Sequence, residues 1–222
     1  MKNFLLIAIT AVLLQALTAC QKEELLYSCD KETNEWVKNN LAEIQQMNRN
    51  DVVKLSGEKQ RGCFRAFTPE QRYNAWIDKL IQVRNIGLNS KELKHIDLLL
   101  AKMKVEWYNE NIIKDAIRFA EIDEFLKEWV DNAYNVLGWS RDEVGRIVAS
   151  LYDLEKKDNT IILRNSTVVG EISDGLGTGR DCECSLKSDW CWGGYTCKKD
   201  KCDEQLWCGT LFVYRCTAMC KL

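Results

Sequence analysis

The sequence predicts a mainly α-helical protein: a small helical bundle, then a short β-hairpin and linker, then a small disulfide-rich C-terminal module. Three observations carry this. Apolar residues recur at spacings of three and four from residue 30 to residue 154, and the chain holds a single proline, Pro69. After Asp153 the composition shifts to β-branched residues and then to glycine. Eight of the eleven cysteines crowd into residues 181–222.

Residues 1–19 read as a secretory signal peptide. Lys2 supplies a positive start, and Phe4 to Ala16 is an apolar run broken only by Thr10 and Gln15. The run falls short of the ~20 residues that span a bilayer. Leu17-Thr18-Ala19-Cys20 follows it directly and resembles a bacterial lipobox. That resemblance implies lipid attachment to Cys20, cleavage before it, and a membrane anchor made by two or three acyl chains. At ~0.8 kcal/mol per buried methylene such an anchor is stable. Residues 20–29 then form an acylated cysteine and charged tether. Gln21-Lys22-Glu23-Glu24 resembles the acidic signal that sends some lipoproteins to the outer face of the outer membrane. The expected location is the bacterial cell envelope, as a surface-exposed outer-membrane lipoprotein.

Residues 30–154 form the helical domain. Asp30 is placed to cap a first helix, whose face carries Val37, Leu41 and Ile44. Residues 51–67, with Gly57 and Gly62, read as a loop or short turns. Thr68-Pro69-Glu70-Gln71 is a capping box with proline at the first helical position. Tyr73, Trp76, Ile77, Leu80 and Val83 make the buried stripe that follows. Asn89 and Glu92 repeat the capping signal before Leu93, Ile96, Leu100 and Met103. A long helix is expected from about residue 111 to residue 137, ending near Gly138. Ser140 and Glu143 open one more, through Val144, Ile147 and Leu151. About five helices around one core result.

Residues 155–180 are the linker. Thr160 to Leu163 and Thr167 to Val169 are β-branched runs that suit a hairpin about Asn165 and Ser166. Gly175, Gly177 and Gly179 then loosen the chain before Arg180, a candidate cleavage site. A cut there would free the last forty-two residues.

In residues 181–222 the gaps between successive cysteines are 1, 6, 5, 4, 5, 7 and 3 residues. Metal binding and disulfide bonding both use such density. Paired CxxC knuckles and histidine ligands are missing from this stretch, which speaks against zinc. An exported chain meets oxidising surroundings, which favours disulfides. With Cys20 spent on lipid, ten cysteines remain. Cys182, Cys184, Cys191, Cys197, Cys202, Cys208, Cys216 and Cys220 suffice for four bridges, and Cys29 and Cys63 for a fifth. Closing the Cys29–Cys63 loop would contribute ~3–4 kcal/mol on the chain-entropy argument.

Cys182-Glu183-Cys184-Ser185, Ser188-Asp189-Trp190-Cys191, Cys208-Gly209-Thr210 and the Val213-Tyr214 pair before Cys216 resemble the fulvocin C-related family of bacterial lipoproteins. The family takes its name from a small disulfide-rich secreted bacteriocin. The resemblance implies an antibacterial module at the C-terminus. It departs at Cys216 and Cys220, which stand three residues apart where the family's last cysteines are nearly adjacent. Acidic and basic residues balance in this stretch, so it does not read as a cationic pore-former. Its aromatic residues suit recognition, and Trp190, Trp192, Tyr195 and Trp207 are the binding candidates.

The formal net charge of -2 leaves no nucleic-acid footprint. Neither a nucleophile elbow, a phosphate-binding glycine loop nor an HExxH occurs, so no enzyme is expected and no cofactor or metal. His95 is the one histidine, on an amphipathic helix where a packed or surface role is ordinary. Expected partners are the membrane, through the lipid, and a target on another cell. A surface glycan or protein recognised without toxicity, or an immunity or structural role, is the alternative.

Overall fold

The computed structural model describes residues 25–164, 183–191, 195–199 and 205–221. The signal peptide, Cys20, Thr167 to Val169, Arg180, Cys182, Trp192 and Cys202 lie outside the described residues. The chain is helix-rich with small sheets and a cysteine-rich C-terminal region. Its helices are α1 (Lys31–Asn39), α2 (Leu41–Ile44), α3 (Arg49–Val52), α4 (Gly57–Ala66), α5 (Pro69–Arg84), α6 (Ser90–Lys102), α7 (Glu110–Lys114), α8 (Ala116–Asn135) and α9 (Arg141–Val148). Among the described residues no helix is long and apolar enough to cross a membrane.

Helix starts follow the local chemistry. The Asp30 carboxylate accepts from the Thr33 amide at 2.6 Å. Thr68 and Gln71, Asn89 and Glu92, and Ser140 and Glu143 each form reciprocal capping boxes. Each satisfies amides that the helix itself leaves without acceptors. Gly87 and Gly138 follow α5 and α8 with φ of +85° and +70°, a left-handed turn that glycine adopts without steric cost.

Three helical predictions change, and the expected five or so helices become nine α-helices among the described residues. The first helix stops at Asn39, so Val37 falls on α1 and Leu41 and Ile44 on the separate α2. The stretch read as a loop, residues 51–67, holds the end of α3 and all of α4. Glycine lowers the local helix propensity of α4, and packing overrides it. A Cβ on Gly62 would stand 2.7 Å from Val37 Cγ2, so glycine is what lets α4 lie against α1. The single long helix from 111 is two. Asp115 adopts an extended conformation and caps α8, accepting from the amides of Ile117 and Arg118 at 3.0 and 3.1 Å.

The hairpin also differs. Strand β2 (Thr160–Leu163) pairs with the preceding β1 (Leu154–Lys157), with Lys157 opposite Thr160. Asp158 and Asn159 turn the chain with φ of 49° and 63°. Both values are positive, as the two-residue hairpin turn that matches strand twist requires. The predicted edge of the helical domain at residue 154 therefore falls at the start of a docked hairpin. Gln82 on α5 accepts from the Leu154 amide at 3.0 Å and donates to the Leu154 carbonyl at 2.5 Å. Glu143 on α9 accepts from the Ile161 amide at 3.0 Å.

The C-terminal region contributes β3 (Glu183–Cys184), β4 (Thr196–Lys198), β5 (Gln205–Cys208), β6 (Tyr214–Cys216) and β7 (Ala218–Lys221). Strands β3, β7 and β4 form one sheet in that order, and β5 pairs with β6. Sequence composition suggested an appended module. The structure instead buries Trp207, Leu211, Phe212, Val213 and Tyr214 in the same core as Phe64, Trp76, Leu126 and Ile147. Phe212 meets Phe64 and Trp76 edge-on, each at 5.1 Å between centroids. A small separate cluster gathers Cys184, Cys191, Ala218 and Cys220, with Tyr195 against it.

Two buried carboxylates give the fold an acid limit. Burial alone would raise Glu92, but Lys156, the Asn89 amide and the Trp139 indole donate to it and hold it below the usual range. Burial of Glu143 is likewise outweighed, by the Ile161 and Ser140 amides and the Ser140 hydroxyl. Both folded values are depressed. Their stabilisation is present above the unfolded value of ~4.3 and is lost as pH falls through the folded values. Urea unfolding at pH 6 and pH 3 should show a loss of stability on acidification, and Glu92→Gln with Glu143→Gln should flatten that dependence.

Candidate functional site

The junction between the helical core and the C-terminal strands holds the polar chemistry of this chain. Arg65 on α4 and Glu183 on β3 form an ion pair with each side chain 4% exposed. Arg65 also donates to the carbonyls of Tyr27 at 2.8 Å and Leu206 at 3.2 Å. The other oxygen of Glu183 accepts from the Cys29 amide at 2.5 Å. One buried pair thus joins the N-terminal segment, α4, β3 and β5. The guanidinium lies 3.4 Å from Cys216 Sγ.

Arg72 sits beside it. Its Nε and Nη2 donate to the Phe64 and Arg65 carbonyls at 2.9 and 2.7 Å, which closes the C-terminal end of α4. Its guanidinium stacks 3.9 Å from the centre of Trp207. Burial lowers its pKa to about 10, so it stays charged at neutral pH. Trp207 is 3% exposed and therefore a core residue, not the surface binding candidate its sequence context suggested. The positive φ of 78° at Trp207 turns its side chain from the strand alternation, and Leu211 and Phe212 share left-handed backbone. Such conformations cost ~1–3 kcal/mol each for residues with a Cβ. Burial of these side chains offsets that cost.

The cysteines pair as Cys184–Cys197, Cys191–Cys220 and Cys208–Cys216. The Cys29–Cys63 bridge is not formed. Cys63 is a buried free thiol, and Cys29 is disulfide-bonded to a different partner. The separation of Cys29 and Cys63 in sequence suited a loop closure, but α4 turns Cys63 into the core. Burial pushes its thiol up to about 12. Two groups of side chains have metal-ligand proximity, Cys184 with Cys191 and Cys197, and Glu183 with Cys208 and Cys216. Each of these sulfurs is in a disulfide, Cys184 with Cys197, Cys191 with Cys220 and Cys208 with Cys216, so none is a thiolate.

A surface cleft of about 170 Å³ runs between α8 and the C-terminal region. Trp190, Ser188 and Thr210 line one side, and Lys127, Val130, Asp131 and Tyr134 the other. The Trp190 indole donates to Thr210 Oγ1 at 2.9 Å, and the Thr210 amide donates to Ser188 Oγ at 2.9 Å. Asp189 accepts from the amides of Cys191 and Cys197 at 2.8 and 3.1 Å, and its carbonyl accepts from Arg141 at 2.9 Å. Tyr214 donates to Asp123 on α8 at 3.0 Å. A wider groove of about 850 Å³ lies between the N-terminal segment, α4 and β5, lined in part by Leu25, Leu26, Phe67, Lys114 and Arg215. Of the four aromatic candidates, Trp190 lies half-buried in the narrow cleft, and Tyr195 packs on the cysteine cluster.

Sequence reading missed the buried charges. Lys79 is fully buried and donates to the Tyr152 carbonyl, and Arg49 donates to the Leu151 carbonyl at 2.9 Å and to Asp153 at 2.5 Å. Burial, then the neighbouring Arg49 charge, pushes the Lys79 ammonium well below its usual range. These groups fasten the turn after α9 and open on no described cavity. The signal for Arg65 was visible as one arginine within Phe64, Ala66 and Phe67. His95 stacks on Trp129 at 4.2 Å between centroids, and burial lowers its pKa. No protein family, curated protein or solved structure compared with this chain matches it.

Removing one partner of the buried pair strands the other. Arg65→Met or Glu183→Leu should each lower stability in urea by ~3–5 kcal/mol. The double variant Arg65→Met with Glu183→Leu should lose less than the two single losses added together, which a double-mutant cycle measures. Cys63 should resist iodoacetamide in the folded protein and react after unfolding without reductant. Peptide mapping locates the label, and a recovered Cys29–Cys63 cross-link would contradict this pairing.

Proposed function

We propose that this protein is a cell-envelope lipoprotein whose fulvocin C-like C-terminal region serves as a fixed recognition element on the surface, not as a peptide set free to kill. Lipid on Cys20 holds the chain at the membrane. The helical region supports the disulfide-bonded strands and presents them outward. The observation that carries this reading is the sharing of one core: Trp207, Phe212 and Tyr214 pack among Phe64, Trp76, Tyr108 and Phe119. A segment destined for release would leave these rings exposed to water and the Arg65–Glu183 pair broken. The resemblance to a bacteriocin family is then a likeness of a disulfide framework, put to recognition.

The antibacterial reading keeps one specific support. The rings the helices cover would give a freed segment the aromatic face that membrane insertion uses. Limited trypsin digestion that cuts after Arg180 separates the two. On the recognition reading the nicked fragments should co-elute in gel filtration until they are denatured and reduced, and nicked protein should bind bacterial cells without stopping growth. Dissociation of the C-terminal fragment with growth inhibition of related bacteria would overturn it.

A further inference from the structure

We infer that the cleft between α8 and the C-terminal strands is a binding site for a neutral carbohydrate. This rests on the recognition reading and names its ligand class. Trp190 supplies a ring whose orientation is fixed, because Thr210 holds its indole N–H and Ser188 holds Thr210. It remains half-buried, with one part open to the cleft. Val130 and the half-buried Tyr134 stand on the α8 wall. Burial raises the Tyr134 pKa, so its phenol stays protonated and both donates and accepts. Aromatic faces of this kind take the C–H face of a sugar ring, while its hydroxyls need donors and acceptors at the edge.

Charge narrows the class further. The walls carry Lys127 and Lys187 against Asp131 and Asp189, two of each sign. Such a balance gives no net field to draw an anion or a cation. Lys127 is engaged with Asp123 at 2.7 Å, and Asp189 is held by two amides and lies near Arg141. Asp131 and Lys187 are exposed and form no ion pair among the described residues, which leaves an acceptor and a donor for hydroxyl groups. The volume is below the ~300–1,000 Å³ of pockets for drug-sized ligands, so the cleft suits one ring of a longer glycan.

The full chain should be titrated by calorimetry with neutral tetrasaccharides of glucose, galactose, mannose and N-acetylglucosamine, with uronic-acid and amino-sugar oligomers as charged probes. The expected result is binding of at least one neutral probe, weakened tenfold or more by Trp190→Ala and partly restored by Trp190→Phe. Asp131→Ala and Lys187→Ala alter exposed side chains and keep the test valid if Trp190→Ala unfolds. They should each weaken binding several-fold with unchanged Tm. Failure of every neutral probe, binding of charged probes alone, or affinity indifferent to these substitutions would overturn the inference. Cell binding by full-length protein that survives Trp190→Ala would remove the cleft's role and leave the recognition reading standing. Oligosaccharide binding without cell binding would do the reverse.

Discussion

A buried arginine–glutamate pair holds this molecule together at its least regular point. Arg65 and Glu183 lie 118 residues apart and leave almost no side-chain surface to water. Two charges in such a place are unfavourable unless each hydrogen-bonding direction is met. Here most are met by backbone: Arg65 reaches Tyr27 and Leu206, and Glu183 reaches Cys29. The pair therefore specifies geometry as much as it stabilises. It fixes where the N-terminal segment and the C-terminal strands sit relative to α4, and the rest of the junction is arranged around that.

The aromatic packing and the disulfides act on either side of this pair. Three disulfides constrain strands that are only two to four residues long and could not persist as isolated sheets. Among the described residues, the separate apolar cluster around Cys184 and Ala218 is small. The larger apolar side chains of β5 and β6 point into the helical core instead. Left-handed backbone at Trp207, Leu211 and Phe212 is what aims them there. Among the described residues of this region, Trp190 stays half-buried at the cleft.

The same device recurs away from the junction. Arg49, Arg72 and Lys79 are buried side chains that donate to main-chain carbonyls where helices end or turns begin. Glu92 and Glu143 do the converse, accepting amides and linking capping boxes to Lys156 and to the hairpin. Irregular segments in a helical protein have backbone groups with no partner in the chain nearby. Long charged side chains on α3, α5, α6 and α9 reach across to satisfy them.

Helix starts were readable from the amino acids alone, because a cap is made by residues three apart: Asp30 with Thr33, Thr68 with Gln71, Asn89 with Glu92 and Ser140 with Glu143. Glycine at 87 and 138 announced its turns for the same local reason. The density of cysteine announced disulfides, but the even count misled, because it paired Cys63, which is a buried free thiol. Tertiary contacts decided what distance in sequence conceals. Gly62 made a helix possible against Val37 where composition read a loop, and Asp158-Asn159 chose the nearer strand for the hairpin. Cys63 was drawn into the core and away from Cys29, and Trp207 into contact with Arg72. Each of these outcomes depends on groups brought together from far along the chain, whose meeting no local pattern encodes.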